Sequence, residues 1–419
     1  MRNYAARRRP LLTSAGGSTR RHRPDYLLLM ISVLLLGIGL IVVFAISPGL
    51  SAQKSVGENY YFIKQLIAIV LGVIAFVVVS NMPVRMWRKL EIPLLIAAGV
   101  ASVAVRLFGE QVNGAYRWVQ IGGLSFQAAE LIKFALIIWL AGFLSDRIRT
   151  NTLSDSKATL KPLVIALCVI GVVVAILQSD FGSTAVMVAI MAAMSFVAGL
   201  PLKKVLLITA VIGVGLTLVI LPVSYRRERL KTYLSPTQDC QNSGYQSCQA
   251  LIAVGSGGIF GLGIGGSVQA YGYLPEAAND SIFAIYAEKF GFLGSAILIG
   301  LFSALFLRMS KIMERAPDDY SRLLVAGILA WLSTQAMINI GAMVGLLPLK
   351  GITLPFISYG GTSLIFVTAA IGVVFSISRY TTYSGNTNTK EGRPSSDYSP
   401  SRRGERRSYY ATPSRSPRA

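Results

Sequence analysis

The residues able to do chemistry are few and unevenly placed. There is one histidine, His22, in an arginine-rich stretch near the start, and three cysteines, Cys168, Cys240 and Cys248. Imidazole catalysis is therefore excluded. A zinc site is not expected, because no CxxC or Cys/His cluster occurs. Proton transfer must rest on carboxylates, lysine or tyrosine. Charges inside strongly apolar runs are costly, so each is a candidate. Glu130 and Lys133 stand three apart, which puts both on one face of a helix. They either neutralise each other beside a polar cavity or fix helix packing. Glu288 and Lys289 are adjacent, point to different faces, and are expected to pair with other helices. Asp180 sits in a short junction between two apolar runs. Asp280 ends the segment Leu274-Pro275-Glu276-Ala277-Ala278-Asn279-Asp280 and is the last charge before an apolar run. It reads either as a helix N-cap or as a carboxylate at a membrane edge, where partial desolvation would raise its pKa toward that of a useful base. Asn279-Asp280-Ser281 also fits an N-glycosylation pattern, but it lies too close to the following apolar run to carry weight.

Arg226, Arg227, Arg229 and Lys231 form the densest cationic cluster within the longest polar segment between apolar runs. Arginines there suit a phosphate or pyrophosphate, which they can pair bidentately; a solvated loop is the plainer alternative. Gly255-Ser256-Gly257-Gly258 and the glycines from Gly261 to Gly266 follow. No strand precedes them and no βαβ unit fits, so a dinucleotide loop is excluded. The glycines permit tight turns or close backbone approach to a ligand. Cys240 and Cys248, eight apart in the same segment, could form a disulfide if it faces an oxidising compartment, or remain free thiols.

These residues hang on an apolar framework. The 419 residues are 53% hydrophobic and 14% charged, against about 25% charged in soluble domains, and the mean hydropathy is +0.57. An ordinary cytosolic enzyme and a long disordered protein are both excluded. Runs long enough to cross a bilayer lie near 26–47, 61–81, 91–107, 127–145, 161–178, 183–200, 204–222, 281–307, 321–346 and 354–378. The fold expected is an all-α integral membrane protein of ten transmembrane helices, the first retained rather than cleaved as a signal. With the N-terminus in the cytoplasm, the inner segments hold 29 of the 40 Lys and Arg, so the net charge of +21 is mainly an orientation signal. Both termini are then cytoplasmic, and residues 223–280 form a large extracytoplasmic loop. Residues 1–24 are a basic tail, 25–380 the ten-helix domain, and 381–419 a disordered basic tail. The tails can also hold the anionic inner leaflet; nucleic acid is not an expected partner.

Four stretches in order resemble the SEDS family (shape, elongation, division and sporulation) of lipid-linked polysaccharide polymerases. Asn113-Gly114-Ala115 with Arg117-Trp118 leads into Phe126-Gln127-Ala128-Ala129-Glu130-Leu131-Ile132-Lys133. Gln178-Ser179-Asp180-Phe181-Gly182-Ser183 is the second. Tyr245-Gln246 and Gly255–Gly258 through Leu274–Ala277 form the third, and Leu347-Pro348-Leu349-Lys350 through Gly361 the fourth. The resemblance spans about residues 25–380, and Lys350–Pro355 is more similar to the division members than to the elongation members.

The resemblance implies glycan-chain polymerisation from lipid II at the outer face of the cytoplasmic membrane, at the septum. It places the catalytic carboxylate on Asp280, as a base toward the acceptor hydroxyl or a ligand for a divalent cation (Mg2+ or Mn2+), the only cofactor it leaves open. It implies Glu130 and Lys133 as a supporting charge pair, and a class B penicillin-binding protein and division proteins as partners. Arg117, Arg226, Arg229 and Lys350 are the expected substrate or pyrophosphate contacts. A lipid II flippase, a scaffold and an elongation polymerase are the alternatives. The chain departs from the family pattern at Ala278-Asn279, Ala270, Lys289 and Ser179, where the family has His-Thr, Lys, an acid and Pro.

Overall fold

The computed structural model describes residues 23–112, 115–121, 124–171, 174, 180–207, 209–210, 240–242 and 244–380. The chain runs through α1 (Tyr26–Gln53), α2 (Tyr60–Asn81), the short α3 (Val84–Lys89) and α4 (Glu91–Phe108). Three strands follow, β1 (Glu110–Val112), β2 (Ala115–Ile121) and β3 (Leu124–Gln127). Then come α5 (Ala128–Arg149), α6 (Lys161–Gly171), α7 (Phe181–Ala198), α8 (Tyr245–Ser256), α9 (Ile282–Glu314), α10 (Asp319–Met343) and α11 (Gly361–Ser378). Among the described residues eight helices, α1, α2, α4, α5, α7, α9, α10 and α11, are long and apolar enough to cross a membrane. The helical membrane architecture read from the sequence holds. Of the other two expected spans, the fifth is helical over α6, and the seventh lies largely outside the described residues beyond a helical stretch at 202–207.

Burial sorts the helices. α5, α10 and α11 bury 83%, 67% and 78% of their spans, and α2, α4 and α9 only 22%, 17% and 22%. The first group forms the centre and the second turns apolar side chains toward lipid. In lipid, helices approach through small residues, because apolar burial gives no preference for protein over acyl chain. A side chain at Gly327 of α10 would meet Ile137 of α5 and Met194 of α7, both at 2.7 Å, and one at Gly72 of α2 would meet Thr368 of α11 at 2.7 Å.

Two features differ from the sequence reading. Residues 110–112, 115–121 and 124–127 form a three-stranded antiparallel sheet, β1-β2-β3, with Trp118 opposite Gln127 and Val119 opposite Phe126. The β-branched and aromatic content of β2 suits a pleated surface, but the segment is short and lies between two strongly helical runs. The last apolar run also enters its helix late. Residues 351–360 are irregular, and α11 starts at Gly361. Ile352, Leu354, Phe356 and Ile357 are apolar because the loop itself is buried; a short buried loop and a buried helix give the same signal.

The glycine-rich segment has a structural task. α9 breaks at Gly291, whose φ is 67°, which would strand backbone groups on either side of the break. Residues 258–263 pair with them. Leu262 and Gly263 donate to the carbonyls of Glu288 and Lys289 at 2.9 and 3.0 Å, and Phe292 and Leu293 donate to those of Gly258 and Ile259 at 2.8 and 3.1 Å. Unpaired backbone groups are costly at membrane depth. A Cβ at Gly261 would collide with the Lys289 carbonyl, and one at Gly291 with Gly261. The close approach is thus to α9 itself.

Candidate active site

Asp280 is half-buried and precedes Ser281, which takes the N-cap position of α9. The loop that carries it is fastened to the loop between α10 and α11. Asn339 of α10 donates from one Nδ2 to the carbonyls of Asp280 and Ile352, both at 2.7 Å. Ser358 Oγ donates to the Asn279 carbonyl at 2.6 Å, and Tyr359 N–H to that of Ala278 at 2.8 Å. The result is a small open cleft, whose lining includes Asp280, Asn339, Met343 and Lys350. Asp280 and Lys350 therefore line one space at the outer ends of the helices. The start of α7 abuts the same loop. Asp180 caps it, accepting from Ser183 N–H at 3.0 Å and Ser183 Oγ at 2.7 Å. A side chain at Gly182 would meet the Lys350 carbonyl at 2.8 Å. The sheet is fastened here as well, since Gln127 N–H donates to Thr362 Oγ1 at the start of α11 at 3.0 Å.

A buried polar chain runs from this cleft into the centre of the helices. Lys133 Nζ donates to Glu130 at 2.7 Å and to Gln335 Oε1 at 2.8 Å. Trp331 Nε1 donates to the same Gln335 oxygen at 2.7 Å, and Gln335 Nε2 donates to the Thr353 carbonyl at 3.0 Å. Glu130 and Lys133 are 2% and 1% exposed, and the buried charge of the lysine is met by Glu130, by Gln335 and by the Trp331 ring, whose centre is 5.1 Å from Nζ. Of the two readings open at sequence level, tying helices together describes them better than lining a cavity. Through Gln335 and Thr353 they brace the loop that carries Lys350.

Glu288 and Lys289 do not pair with other helices as expected. Glu288 accepts from Ser267 Oγ and from Val268 and Gln269 N–H, at 2.9 and 3.2 Å for the two amides, and Lys289 donates to the Ile264 carbonyl. The break at Gly291 brings the loop across this part of α9, so the loop backbone replaces a partner helix. Cys240 and Cys248 are joined by a disulfide at the start of α8, and Gln246 of α8 donates to Ser281 Oγ at 3.1 Å. Arg226 and Arg229 lie outside the described residues, and Arg117 is placed only as a backbone position in β2.

Sequence reading missed Asn339, Gln335 and Lys54, and took in Tyr359 only as part of the stretch from Leu347 to Gly361. The first two are neutral amides with no charge to mark them. Lys54 follows α1, and its hydrogen bond with Tyr61 pushes its ammonium above the usual lysine value. Tyr359 packs edge-to-face on Tyr61, ring centres 5.3 Å apart. Burial first, then Tyr60 and Tyr61, push its phenol up.

The sequence model of the FtsW, RodA and SpoVE cell cycle proteins matches residues 26–383. Stage V sporulation protein E of Bacillus subtilis is 38% identical, the match covering 87% of this chain and all of the relative. A probable peptidoglycan glycosyltransferase FtsW of Coxiella burnetii is 38% identical over 84% of this chain and 95% of its own, and one of a Thioalkalivibrio species 40% identical over 86% and 90%. Among solved structures, a chain from a peptidoglycan synthase complex that coordinates polymerization and crosslinking superposes with a TM-score of 0.69, at 25% identity, covering 85% of this chain and 98% of that one. An aspartate-to-alanine variant of the rod shape determining protein RodA from Thermus thermophilus gives 0.64, also at 25% identity, over 85% and 97%. The sequence motifs, the helix arrangement and these matches agree: the chain belongs to the FtsW, RodA and SpoVE family of cell cycle proteins.

Proposed function

We propose that the protein is a peptidoglycan glycosyltransferase that extends glycan chains from lipid II at the outer face of the cytoplasmic membrane, for septal wall synthesis during division. The observation that carries this is the cleft shared by Asp280 and Lys350, in a chain 38–40% identical to several FtsW proteins. Glycosyl transfer from a lipid pyrophosphate needs one base, charge stabilisation of the leaving group and a groove reached from the bilayer. In this reading Asp280 takes the proton from the acceptor sugar hydroxyl. That oxygen bonds to the anomeric carbon of the donor, the bond from that carbon to pyrophosphate breaks, and undecaprenyl pyrophosphate leaves with its charge facing Lys350. Arg117, Arg226 and Arg229 are further candidates for holding the pyrophosphate.

Among the described residues no group of three or more His, Cys, Asp or Glu could hold a metal ion, and Asp280 is the one carboxylate lining the cleft. The donor set fits a hard cation only as Mg2+ or Mn2+ often binds, through one carboxylate and the substrate's own phosphate oxygens. Bound there, the ion would neutralise the leaving group.

The fold match to a chain of a synthase complex supports a crosslinking partner, a class B penicillin-binding protein, with division proteins around it. The burial of Glu130 and Lys133 favours a polymerase over a flippase, which would need such charges along an open path.

The test is lipid II polymerisation by the purified protein with its cognate transpeptidase, wild type beside Asp280→Asn, read as glycan ladders on a gel. Ladders from the wild type and none from the folded variant are expected. Equal ladders from both would move the base elsewhere.

A further inference from the structure

At the end of the helices opposite Asp280, the start of α1 and the last turns of α9 and α11 border an open cavity of about 210 Å³. Its charged lining is Arg23, Arg308, Lys311 and Arg315 against one carboxylate, Asp25. That carboxylate is engaged twice. Its Oδ1 caps α1 by accepting from Leu28 N–H at 3.1 Å, and its Oδ2 accepts from Arg308 Nε at 2.6 Å. Among the described residues Arg23, Lys311 and Arg315 enter no ion pair. Arg308, Lys311 and Arg315 recur at three- and four-residue spacing, so one face of α9 presents all three.

We propose that this cavity binds the phosphate of an anionic phospholipid from the inner leaflet. A concave site with an excess of guanidinium and ammonium donors suits a phosphate, whose oxygens arginine pairs bidentately. Basic pockets between helices on the cytoplasmic side are a recognised geometry for acidic headgroups. The lip of the cavity distinguishes a lipid from a dissolved anion. Tyr26 and Leu27 line it and are 62% and 43% exposed, and Met30 and Leu307 beyond them are 53% and 66% exposed. Exposed apolar side chains of α1 and α9 thus flank the cationic floor, and an acyl chain can lie along them. Dissolved phosphate would use only the floor. The bound lipid bridges α1 and α9, and Asp280 immediately precedes the N-cap of α9 at its other end.

The experiment is native mass spectrometry of the full-length protein in a neutral detergent, titrated with phosphatidylglycerol or phosphatidylcholine. One phosphatidylglycerol per chain is expected to bind at least tenfold more tightly than phosphatidylcholine. Lys311→Gln with Arg315→Gln lowers that affinity at least tenfold. Asp25→Asn, which keeps a helix cap and releases Arg308, leaves affinity unchanged or raises it. Lys203→Gln with Lys204→Gln, expected on the same membrane face, changes it less than twofold. Wild-type binding in the Lys311/Arg315 variant overturns the proposal, as does equal weakening by the Lys203/Lys204 pair, which would mean diffuse attraction. Loss of binding in Asp25→Asn would make the cluster a structural ion pair only. Complete competition by millimolar inorganic phosphate would assign the site to a dissolved anion and overturn the lipid.

Discussion

Asn339→Leu tests whether the polar contacts under Asp280 set the rate. The substitution keeps the branched shape of the side chain, so no cavity term enters, and its bulkier methyls add some crowding at a buried position. It removes one Nδ2 and both of its 2.7 Å hydrogen bonds, to the carbonyls of Asp280 and Ile352. Each carbonyl left without its partner costs about 1–3 kcal/mol, although bonds between membrane helices measure lower, about 0.6 kcal/mol on average. Taking about 2 kcal/mol for the pair, the docked arrangement of the two loops loses about thirtyfold against undocked ones. A displacement of about 1 Å at a reacting group can cost about a hundredfold in rate. The expected outcome is a ten- to hundredfold fall in polymerisation rate at saturating lipid II, with KM within about threefold, because Asn339 sets the pose of Asp280 rather than holding substrate. Ladder formation is timed beside thermal unfolding in detergent, so that rate is expressed per folded molecule. A folded variant within threefold of the wild-type rate would refute the reasoning, and so would a KM that rises while kcat stays fixed.

Gly261 has φ +85° and its Cβ would strike the Lys289 carbonyl, whereas Gly263, at φ +83°, has open space around it. Gly261→Ala should therefore destabilise by about 2 kcal/mol or more and Gly263→Ala by about 1; equal shifts in unfolding temperature would show that the approach to α9 is not tight. The disulfide closes a loop with a sequence separation of 8, worth about 2.5 kcal/mol by chain entropy. Reduction, or Ser at both positions, should lower the unfolding temperature and expose α8 to proteolysis, and the check is unfolding with and without dithiothreitol. The raised phenol pKa of Tyr359 means that the folded state binds its proton more tightly than the unfolded chain does. Its contribution is fully present below the ordinary tyrosine value of about 10 and is lost above it. Alkaline titration of stability should then show a loss that Tyr359→Phe reduces.

The sequence made the charged residues of the site legible because charge in an apolar run is rare and therefore conspicuous. Asp280, Glu130, Lys133 and Lys350 all stood out on that ground or by motif. What it could not convey was how they are joined. Gln335 and Asn339 are unremarkable amides in a helix whose composition gives no hint of a network, yet they connect the buried ion pair to the outer loops through six hydrogen bonds with Lys133, Trp331, Thr353, Asp280 and Ile352. Helix positions came from hydropathy with errors of a few residues, except where another structure imitates the signal. The run from Leu354 is buried as a loop, and the β2 strand hides between two spans. Glu288 and Lys289 were legible as functional charges, but their partners were not. A helix break that lets a loop backbone stand beside α9 depends on Gly291 and Gly261 meeting across 30 positions of chain.

The departures from the family pattern can be weighed on the same footing. Ala278 and Asn279 replace the residues expected before Asp280, which at first casts doubt on the loop. The contacts that dock this loop use the main chain instead: the carbonyls of Ala278, Asn279 and Asp280 accept from Tyr359, Ser358 and Asn339. Side-chain identity at 278 and 279 can therefore change without undoing that contact, provided the backbone path is kept. Asn279 even contributes locally, since its Nδ2 donates to Glu276, which sits at φ +53°. Lys289 follows a different rule. Its partner is a carbonyl, that of Ile264, and a carbonyl can be met only by a donor, so an ionised acid at this position would leave it unpaired. A lineage with an acid there loses this contact and keeps the backbone bonds between 258–263 and α9, which do not use the side chain at 289. The substitution at 289 therefore changes one contact to the glycine-rich loop, whereas the substitutions at 278 and 279 leave the main-chain docking contacts in place.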